Sequence, residues 1–376
     1  MKEKLIIKNF GPIKNVELDL GRFNVLIGDQ GTGKSTVAKL LIAIQNTVFR
    51  ELFNLPENLL QNEKTQLFFE HSKTLAIQNY FYSNSEIYYW NDRYSFEYKN
   101  NNVYIKELIE LSLAEKISYD FTYIPAERVL VITLADSLYA LMETGTSLPK
   151  LFLRFGDKFV KARKEQSVFD FRSIIGVKYS HKDNKDIIIL PFDKEISIID
   201  SSTGIQGNIS LLTVFDSVTN SNGNNFSNFK DVNKQSNYLV IEEPELDCFP
   251  ETQFKLLKYL VEKLIVQGDF GKNYCKNQLL ITTHSPYVLT SLNNMMYAYK
   301  VGKLYSEEAD KIIEKKYWVN PDDVSVYMML PNGECEDILD REEGMIRAEK
   351  IDSVSRQLNS EFDLLQDIEL AVSEDK

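Results

Sequence analysis

The sequence has few cysteines and no long apolar run, and each shortage excludes a class of protein. Three cysteines occur in 376 residues, without the C-x-x-C spacing of zinc sites or disulfide frameworks. No run approaches the ~18 apolar residues of a membrane span. The apolar run at 5–7 is also too short for a signal peptide. We therefore expect a cytoplasmic protein with no membrane association.

Acidic charge is concentrated at one end of the chain. Residues 307–376 hold 20 acidic and 8 basic side chains, which accounts for the whole net charge of −12. The preceding residues carry 35 charges of each sign. The overall acidity therefore does not exclude nucleic-acid binding by the first 306 residues, where local patches decide.

Hydrophobic patterning predicts an α/β protein. Residues 5–28 alternate apolar and polar side chains between glycine turns, which predicts two or three short strands. Apolar runs at 238–241 and in QLLITTH predict buried strands, separated by a helix at about 251–266, and a hairpin is predicted at 185–200. A helix is expected after Gly33, with one apolar face formed by Val37, Leu40, Leu41, Ile44 and Val48.

Composition divides the chain into four predicted regions. Residues 1–53 form the first half of a core, and the aromatic, asparagine-rich residues 54–119 are interpreted as an inserted lobe. Residues 120–305 complete the core, and 306–376 form an acidic region with an amphipathic helix. That helix would dock on its own domain or meet a partner through Ile351, Val354, Leu358, Phe362, Leu365 and Ile368.

A basic helix is predicted at 148–165, with Ser147 as N-cap and Pro149 in the first turn. Residues 147–186 hold ten basic side chains against five acidic ones. A solvated helix surface explains this excess, and so does a surface for nucleic acid or an acidic partner. Phe152, Phe155 and Phe159 mark the apolar side, and the basic side carries Lys150, Arg154, Lys158, Lys161 and Lys164.

The segment GDQGTGKS matches the phosphate-loop pattern G-x-x-x-x-G-K-[ST] between a predicted strand and a predicted helix. Its glycines permit positive φ, so that backbone N–H groups turn toward phosphate oxygens at a helix N-terminus. Lys34 would neutralise the phosphates, and the Ser35 hydroxyl would bind Mg²⁺. The predicted nucleotide-binding residues are Gly28, Asp29, Gln30, Gly31, Thr32, Gly33, Lys34, Ser35 and Thr36.

The apolar strand at 238–241 ends in two carboxylates, Glu242 and Glu243. Buried carboxylates are costly, so the doublet needs either structural ion pairs or a cation and a reaction. A phosphate loop in the same chain favours the second explanation. We assign Glu242 to Mg²⁺, and Glu243, which points the other way in an extended chain, to the attacking water.

Several segments resemble one family. VIEEPELD resembles the second acidic motif of ABC-class ATPases, in the branch with SMC, RecF and OLD-like proteins. TTHSPYVL resembles the histidine motif of that branch, and SSTGIQG resembles its signature motif. YIPAER and the first strands are similar to those of bacterial stand-alone members, and the motifs follow the family's order over residues 5–290.

The resemblance implies an α/β ABC-ATPase head fold, in which helices flank the phosphate-loop core sheet beside an N-terminal antiparallel β part. It also implies ATP and Mg²⁺ as cofactors and a head-to-head homodimer, or a higher even-numbered oligomer. Catalysis would fall to Glu243, His284 and Lys34. The signature residues that would contact a second subunit's ATP are Ser202, Thr203, Gly204 and Gln206.

The sequence departs from the family's pattern at three places. The signature reads S-T-G-I-Q, and Cys248 and Phe249 precede Pro250 where the family has leucine and histidine. No glutamine is identified as the Q-loop residue, since four glutamines fall in or near the insert. These candidates are Gln45, Gln61, Gln66 and Gln78.

The resemblance implies an ATPase that controls a separate effector, a nuclease or toxin, in bacterial anti-phage defence of the Septu, PARIS or retron-associated type. The alternative is a RecF- or SMC-like ATPase that binds DNA in repair or maintenance. A transporter ATPase is disfavoured by EEPELD and the insert. Three histidines and no Toprim-type acidic cluster leave no recognisable nuclease in this chain, so the effector would be another protein.

Overall fold

The computed structural model describes most of the chain. The described residues are 3–53, 60–109, 118–135, 137, 140, 148–220, 235–263, 277–347 and 360–365. Within them, no helix combines the length and the apolar character needed to cross a membrane.

The described residues contain both strands and helices. The strands are β1 (Glu3–Phe10), β2 (Ile13–Leu20), β3 (Phe23–Gly28), β4 (Phe81–Trp90), β5 (Tyr94–Lys99), β6 (Asn102–Glu107), β7 (Ser118–Ile124), β8 (Val168–Phe171), β9 (Val177–Lys182), β10 (Lys185–Ile189), β11 (Glu195–Ser197), β12 (Gln235–Glu242), β13 (Gln278–Thr283), β14 (Val324–Met329), β15 (Cys335–Asp337), β16 (Leu339–Asp340) and β17 (Met345–Ile346). The helices are α1 (Lys34–Phe53), α2 (Gln61–Thr74), α3 (Val129–Leu134), α4 (Lys150–Glu165), α5 (Arg172–Ile175), α6 (Thr203–Asn220), α7 (Pro250–Val261), α8 (Pro286–Gly302) and α9 (Ser306–Ile312).

A six-stranded sheet in the order β15-β14-β3-β13-β12-β7 forms the centre of the molecule. All neighbours are parallel except the edge pair β14 and β15. Both faces are covered: Leu239 and Ile241 pack into one apolar cluster, and Tyr238 and Val240 pack into the cluster on the other side. This two-sided burial explains why β12 and β13 read as continuous apolar runs in the sequence.

The first strands belong to a second sheet, which is antiparallel and has the order β2-β1-β4-β5-β6. The described part of 54–119 therefore extends the N-terminal sheet and is not a lobe of its own, because β4 pairs with the free edge of β1. Helix α2 packs on α1 and β6. The aromatic residues that suggested an insert fill this core, among them Phe68, Phe81, Phe96 and Tyr98.

A third sheet, in the order β11-β10-β9-β8, carries helix α4 and leads into α6. Phe152, Phe155 and Phe159 are buried as predicted, and the rings of Phe159 and Tyr179 stack. The hairpin at 185–200 is confirmed by the pairing of β10 with β11. The start of α4 differs from the prediction: the helix begins at Lys150, with Pro149 at the N-cap position, and Ser147 lies outside the described residues.

The acidic C-terminal region is not separate from the core. Strand β14 inserts into the central sheet beside β3, with Val324 opposite Phe23. Its apolar run, VSVYMM, is the sequence signal for this buried strand, which was not predicted. Of the predicted tail helix only the helical turn at 360–365 is described, where Phe362 and Leu365 are exposed.

Candidate functional site

The phosphate loop connects the end of β3 with the start of α1, as predicted. Gly28, Gly31 and Gly33 have φ values of 151°, 77° and 97°, which confirms the predicted positive φ at all three. At Gly28 a side chain is also excluded by space, because a Cβ would lie 2.3 Å from the Met329 carbonyl oxygen. The neighbouring strand β14 therefore leaves room only for glycine at the first position of the loop.

Lys34 lies at the first position of α1, and its ammonium is directed back into the loop. The Nζ atom donates to the carbonyl oxygens of Gly28 and Asp29, at 2.7 and 2.8 Å. Burial lowers the pKa of Lys34, and the carboxylates of Glu243 and Asp29 oppose that shift. The lysine is therefore within electrostatic reach of Glu243, the residue that follows β12.

The other phosphate-loop residues differ in their exposure to solvent. Asp29, Gln30 and Gly31 are exposed, whereas Thr32 and Thr36 are buried and Ser35 is half-buried. The Thr32 hydroxyl donates to the Asp29 carbonyl oxygen at 2.8 Å, which tightens the turn. The loop thus presents its backbone at a helix N-terminus, the arrangement expected for binding phosphate.

Glu242 is the last residue of β12 and is 6% exposed. Its Oε1 atom has no hydrogen-bond partner within the part of the chain that the structure describes. The neighbouring Tyr123 hydroxyl is also buried, and burial together with Glu242 raises the pKa of Tyr123 well above its ordinary value. A buried carboxylate oxygen without a donor among the described residues has the chemistry to accept a cation.

Glu243 is less buried than Glu242, but not for the predicted reason. We expected the two carboxylates to diverge because side chains alternate along an extended strand. Instead, β12 ends at Glu242, and Glu243 has φ of 43°, in the left-handed region. Its N–H donates to the Thr282 carbonyl oxygen at 2.8 Å, so β13 holds this turn.

The structure brings His284 to Glu243. His284 directly follows β13, the strand between β3 and β12, and its Nε2 atom lies 3.5 Å from Glu243 Oε1. Glu245 was not predicted as a site residue; its Oε1 accepts from the Thr283 hydroxyl at 2.6 Å and from the His284 N–H at 2.7 Å. The third acidic residue of EEPE was the sequence signal for this contact. Through these two hydrogen bonds, Glu245 orients the segment that carries His284.

The residues present fit an Mg²⁺ ion shared with a nucleotide. Glu242 offers an unsatisfied carboxylate oxygen, and Ser35 offers a hydroxyl at the start of α1. Groups of three or more His, Cys, Asp or Glu side chains able to hold a metal are absent from the described residues. Since Mg²⁺ is commonly bound by one or two carboxylates plus substrate phosphates, this donor set suits a nucleotide complex.

The signature residues surround the N-terminus of α6. Ser202 and Thr203 are exposed, and the Gln206 side chain donates to the carbonyl oxygens of Ile199 and Ser201. A Cβ on Gly204 would lie 2.5 Å from the Asp247 carbonyl oxygen. The signature turn thus packs against the loop that follows the acidic doublet, and the side-chain hydrogen bonds of its residues stay within their own segment.

The contacts of the Gln45 side chain do not identify it as the Q-loop residue. It is buried on α1, where its amide donates to the Tyr89 hydroxyl at 2.7 Å and accepts from the Tyr94 hydroxyl at 2.5 Å. Gln66 donates to Glu70 on the surface of α2, and Gln78 is exposed. The side chain of Gln61 lies outside the described residues.

The basic face of α4 is divided. Lys158 donates to Asp120 at 2.7 Å, and Lys161 pairs with Asp157 at 2.7 Å. Lys164 is exposed. The remaining two basic residues face a cleft of about 370 Å³ between α2 and α4, lined by Glu70, His71, Lys73, Thr74, Lys150 and Arg154.

A family model described as an AAA ATPase domain matches residues 1–134 and 154–289. The chain belongs to this ATPase family. The α/β head fold predicted from the motifs is thereby confirmed, with the phosphate loop, the acidic doublet and His284 inside the matched residues. No curated protein is a detectable relative of this AAA ATPase.

Solved structures similar to this chain include SMC heads and RecF. The SMC head domain from Thermotoga maritima has 10% identity and a TM-score of 0.40, covering 90% of this chain and 98% of that chain. An SMC head bound to the C-terminal winged-helix domain of ScpA has 10% identity and a TM-score of 0.44, covering 92% and 99%. The recombination mediator RecF with ATP has 10% identity and a TM-score of 0.41, covering 89% and 97%.

Proposed function

We propose that this chain binds ATP together with Mg²⁺ and hydrolyses it at the carboxyl edge of the central sheet. The observation that carries this proposal is the 3.5 Å approach of Glu243 Oε1 to His284 Nε2, beside the partly unsatisfied carboxylate of Glu242. Lys34 lies on the phosphate loop two strands away, and Glu243 acts on its pKa. In parallel sheets this edge is where ligands bind.

Each residue of the edge has a role in this proposal. Lys34 and the loop N–H groups bind the phosphates. Ser35 and Glu242 hold Mg²⁺, which when bound neutralises phosphate charge. Glu243 accepts a proton from the attacking water, and His284, held through Glu245, orients Glu243 and contacts the γ phosphate.

We further propose a head-to-head dimer. The exposed Ser202 and Thr203 can face a second copy, and the resemblance to ABC-class ATPases supports the approach of the signature turn to its nucleotide. ATP would then contact both copies, so that hydrolysis loosens the dimer. Gln206 stabilises the turn in this arrangement through Ile199 and Ser201.

The substitution Glu243→Gln tests both proposals. It keeps the shape of the side chain and removes the base, so the ATPase rate should fall about 10²- to 10⁴-fold. The mass in solution should double on addition of ATP and Mg²⁺, because the bound ATP persists. A matched control is Glu251→Gln, an exposed carboxylate at the start of α7 that pairs with Lys255 at 2.7 Å.

The outcomes separate the two proposals. Normal hydrolysis by the Glu243→Gln protein would refute the role of Glu243. A variant that binds ATP without hydrolysis and without a change in mass would refute the ATP-driven dimer and leave the site assignment standing.

The partner proposed for this ATPase is a separate effector, a nuclease or toxin, in bacterial anti-phage defence. Support comes from the resemblance of EEPELD, STGIQ and YIPAER to stand-alone ATPase subunits of such systems. The test is whether a toxin or nuclease encoded beside the ATPase copurifies with the wild-type protein. The Glu243→Gln protein should release that partner. An ATPase that protects cells from phage without such a partner would contradict it.

A second candidate function is DNA binding, as in a RecF- or SMC-like ATPase. It is favoured by the cleft that combines Lys73, Lys150 and Arg154 with a single acidic side chain, Glu70. Charge reversal at Lys150 and Arg154 should abolish salt-dependent binding to duplex DNA. Reversal of Lys161, which already pairs with Asp157 on the same helix, is the matched control.

A further inference from the structure

Arg128, the last residue of YIPAER, is buried against the acidic doublet. It lies in the turn after β7, the strand that pairs with β12, and is 1% exposed. Its Nη1 atom donates to the Glu242 carbonyl oxygen at 2.9 Å, and its Nη2 atom donates to the Glu243 carbonyl oxygen at 2.8 Å. Longer contacts of 3.4 Å reach Pro125 and Pro244.

A fully buried guanidinium is a costly way to hold a loop. Burial lowers the pKa of Arg128, and the carboxylates of Glu245 and Glu243 oppose the shift without pairing with it directly. Its Nε atom has no hydrogen-bond partner among the residues that the structure describes. Packing alone would be served by an apolar side chain, so the charge calls for another explanation.

The two short hydrogen bonds fix the backbone on both sides of Glu243. The Glu242 carbonyl belongs to the peptide plane before Glu243, and the Glu243 carbonyl belongs to the plane after it. One rigid, planar guanidinium that binds both oxygens therefore sets φ and ψ of Glu243 together. This explains how Glu243 keeps a φ of 43°, which residues other than glycine rarely adopt.

The backbone of Glu243 in turn aims its carboxylate. With this backbone, Glu243 Oε1 lies 3.5 Å from His284 Nε2. Arg128 also lies beside α6, since a Cβ added at Gly207 would be in ordinary van der Waals contact with its Nε atom, at 3.9 Å. The guanidinium thus lies between the signature helix and the acidic turn.

We propose that Arg128 is a positioning residue for hydrolysis, which holds the backbone of Glu243 so that its carboxylate meets His284 and the attacking water. The proposal rests on the function proposed above and deepens it. It predicts an effect on the chemical step and little effect on nucleotide binding, since none of the four oxygens near its Nη atoms belongs to the phosphate loop.

The test compares Arg128→Met and Arg128→Lys with wild type. Arg128→Met should lower kcat about 10- to 100-fold, as loss of a residue that orients an active group commonly does. The affinity for a fluorescent non-hydrolysable ATP analogue should change less than about twofold, because the phosphate loop is intact. Arg128→Lys should recover part of kcat, since an ammonium still donates to one carbonyl oxygen.

A double-mutant cycle with Glu243→Gln separates positioning from general damage. If Arg128 acts through Glu243, adding Arg128→Met to Glu243→Gln leaves the residual rate almost unchanged. The control is Arg163→Met, which removes a buried arginine paired with Asp186 in the third sheet. It should lower the unfolding temperature and leave kcat per folded molecule near that of wild type.

Four results would overturn the proposal. Full additivity with Glu243→Gln, or a kcat of Arg128→Met equal to wild type, refutes the positioning role while the ATPase function stands. Loss of analogue affinity in proportion to the loss of kcat shows a general structural role. Wild-type protein that binds ATP and does not hydrolyse it refutes the proposed function, and this proposal with it.

Discussion

Two buried glutamates lie at opposite ends of strand β13, and only one of them is fully satisfied. Beside the first residue of the strand, Glu3 accepts from the Gln278 amide at 2.7 Å and from the Tyr89 hydroxyl at 2.8 Å. Beside the end of the strand, Glu242 pairs in register with Thr282 and leaves Oε1 without a donor among the described residues. The two side chains are equally inaccessible, at 3% and 6% exposure.

The difference is the one expected between a structural carboxylate and one that binds a ligand. The hydrogen-bond network of Glu3 continues into α1, because the Tyr89 hydroxyl also accepts from the Gln45 amide. It joins the antiparallel sheet, the first helix and β13 through hydrogen bonds that need no ligand. The Glu242 end leaves one carboxylate oxygen without a donor among the described residues, so we expect its partner to come from a bound ion.

The largest expected effect is on ATP binding, when the ammonium of Lys34 is removed. Lys34→Ala should weaken ATP binding about 30-fold or more, because truncating one partner of a buried charge pair typically costs about 2–5 kcal/mol or more. Binding is measured by the fluorescence of an ATP analogue. Lys39→Ala, one turn further along α1, is the control and should bind ATP almost normally.

A smaller effect, and the sharpest test of the comparison, is the same substitution at both glutamates. Glu242→Gln should raise the Mg²⁺ concentration needed for ATP binding about 10- to 100-fold, since an amide is a weaker ligand than a carboxylate. Glu3→Gln should leave the Mg²⁺ titration unchanged. Equal effects of the two substitutions would show that Glu242 is structural, like Glu3.

The sequence was sufficient for the parts of the edge that local chemistry determines. Positive φ at Gly28, Gly31 and Gly33, the helix after Gly33 and the strand before Glu242 all follow from short-range patterns. The site roles of these residues stay predictions. The approach of His284 to Glu243 was expected only through the family's motif order, because β13 lies between strands that are far apart in the sequence.

Long-range pairing is what the sequence did not determine. The pairing of β4 with β1 turned an expected insert into part of a sheet, and β14 joined the core from a region expected to be an acidic tail. Neither partner choice is encoded in a local period. The left-handed backbone of Glu243 was also missed, because it depends on Arg128, more than a hundred residues earlier.

The smallest expected effect is the pH dependence of the stability that Glu3 contributes. Burial, the largest cause, raises the pKa of Glu3 above its ordinary value of 4.5, although hydrogen bonds from Gln278 and Tyr89 oppose the shift. Above pH 4.5 the unfolded chain loses this proton while the folded chain keeps it, so the folded state binds more protons. Stability contributed by Glu3 should therefore be present at low pH and fall as pH rises through its folded pKa.

The measurement is urea unfolding of wild type and Glu3→Gln between pH 4 and pH 8. The free energy of unfolding of wild type minus that of Glu3→Gln should decrease with pH, by about 1.4 kcal/mol for each unit by which the folded pKa exceeds the unfolded one. Glu86→Gln is a control of opposite sign, because a hydrogen bond from Lys99 lowers the pKa of Glu86. A difference for Glu3 that rises with pH would mean that its hydrogen bonds outweigh its burial, so that the charged form is the one the network stabilises.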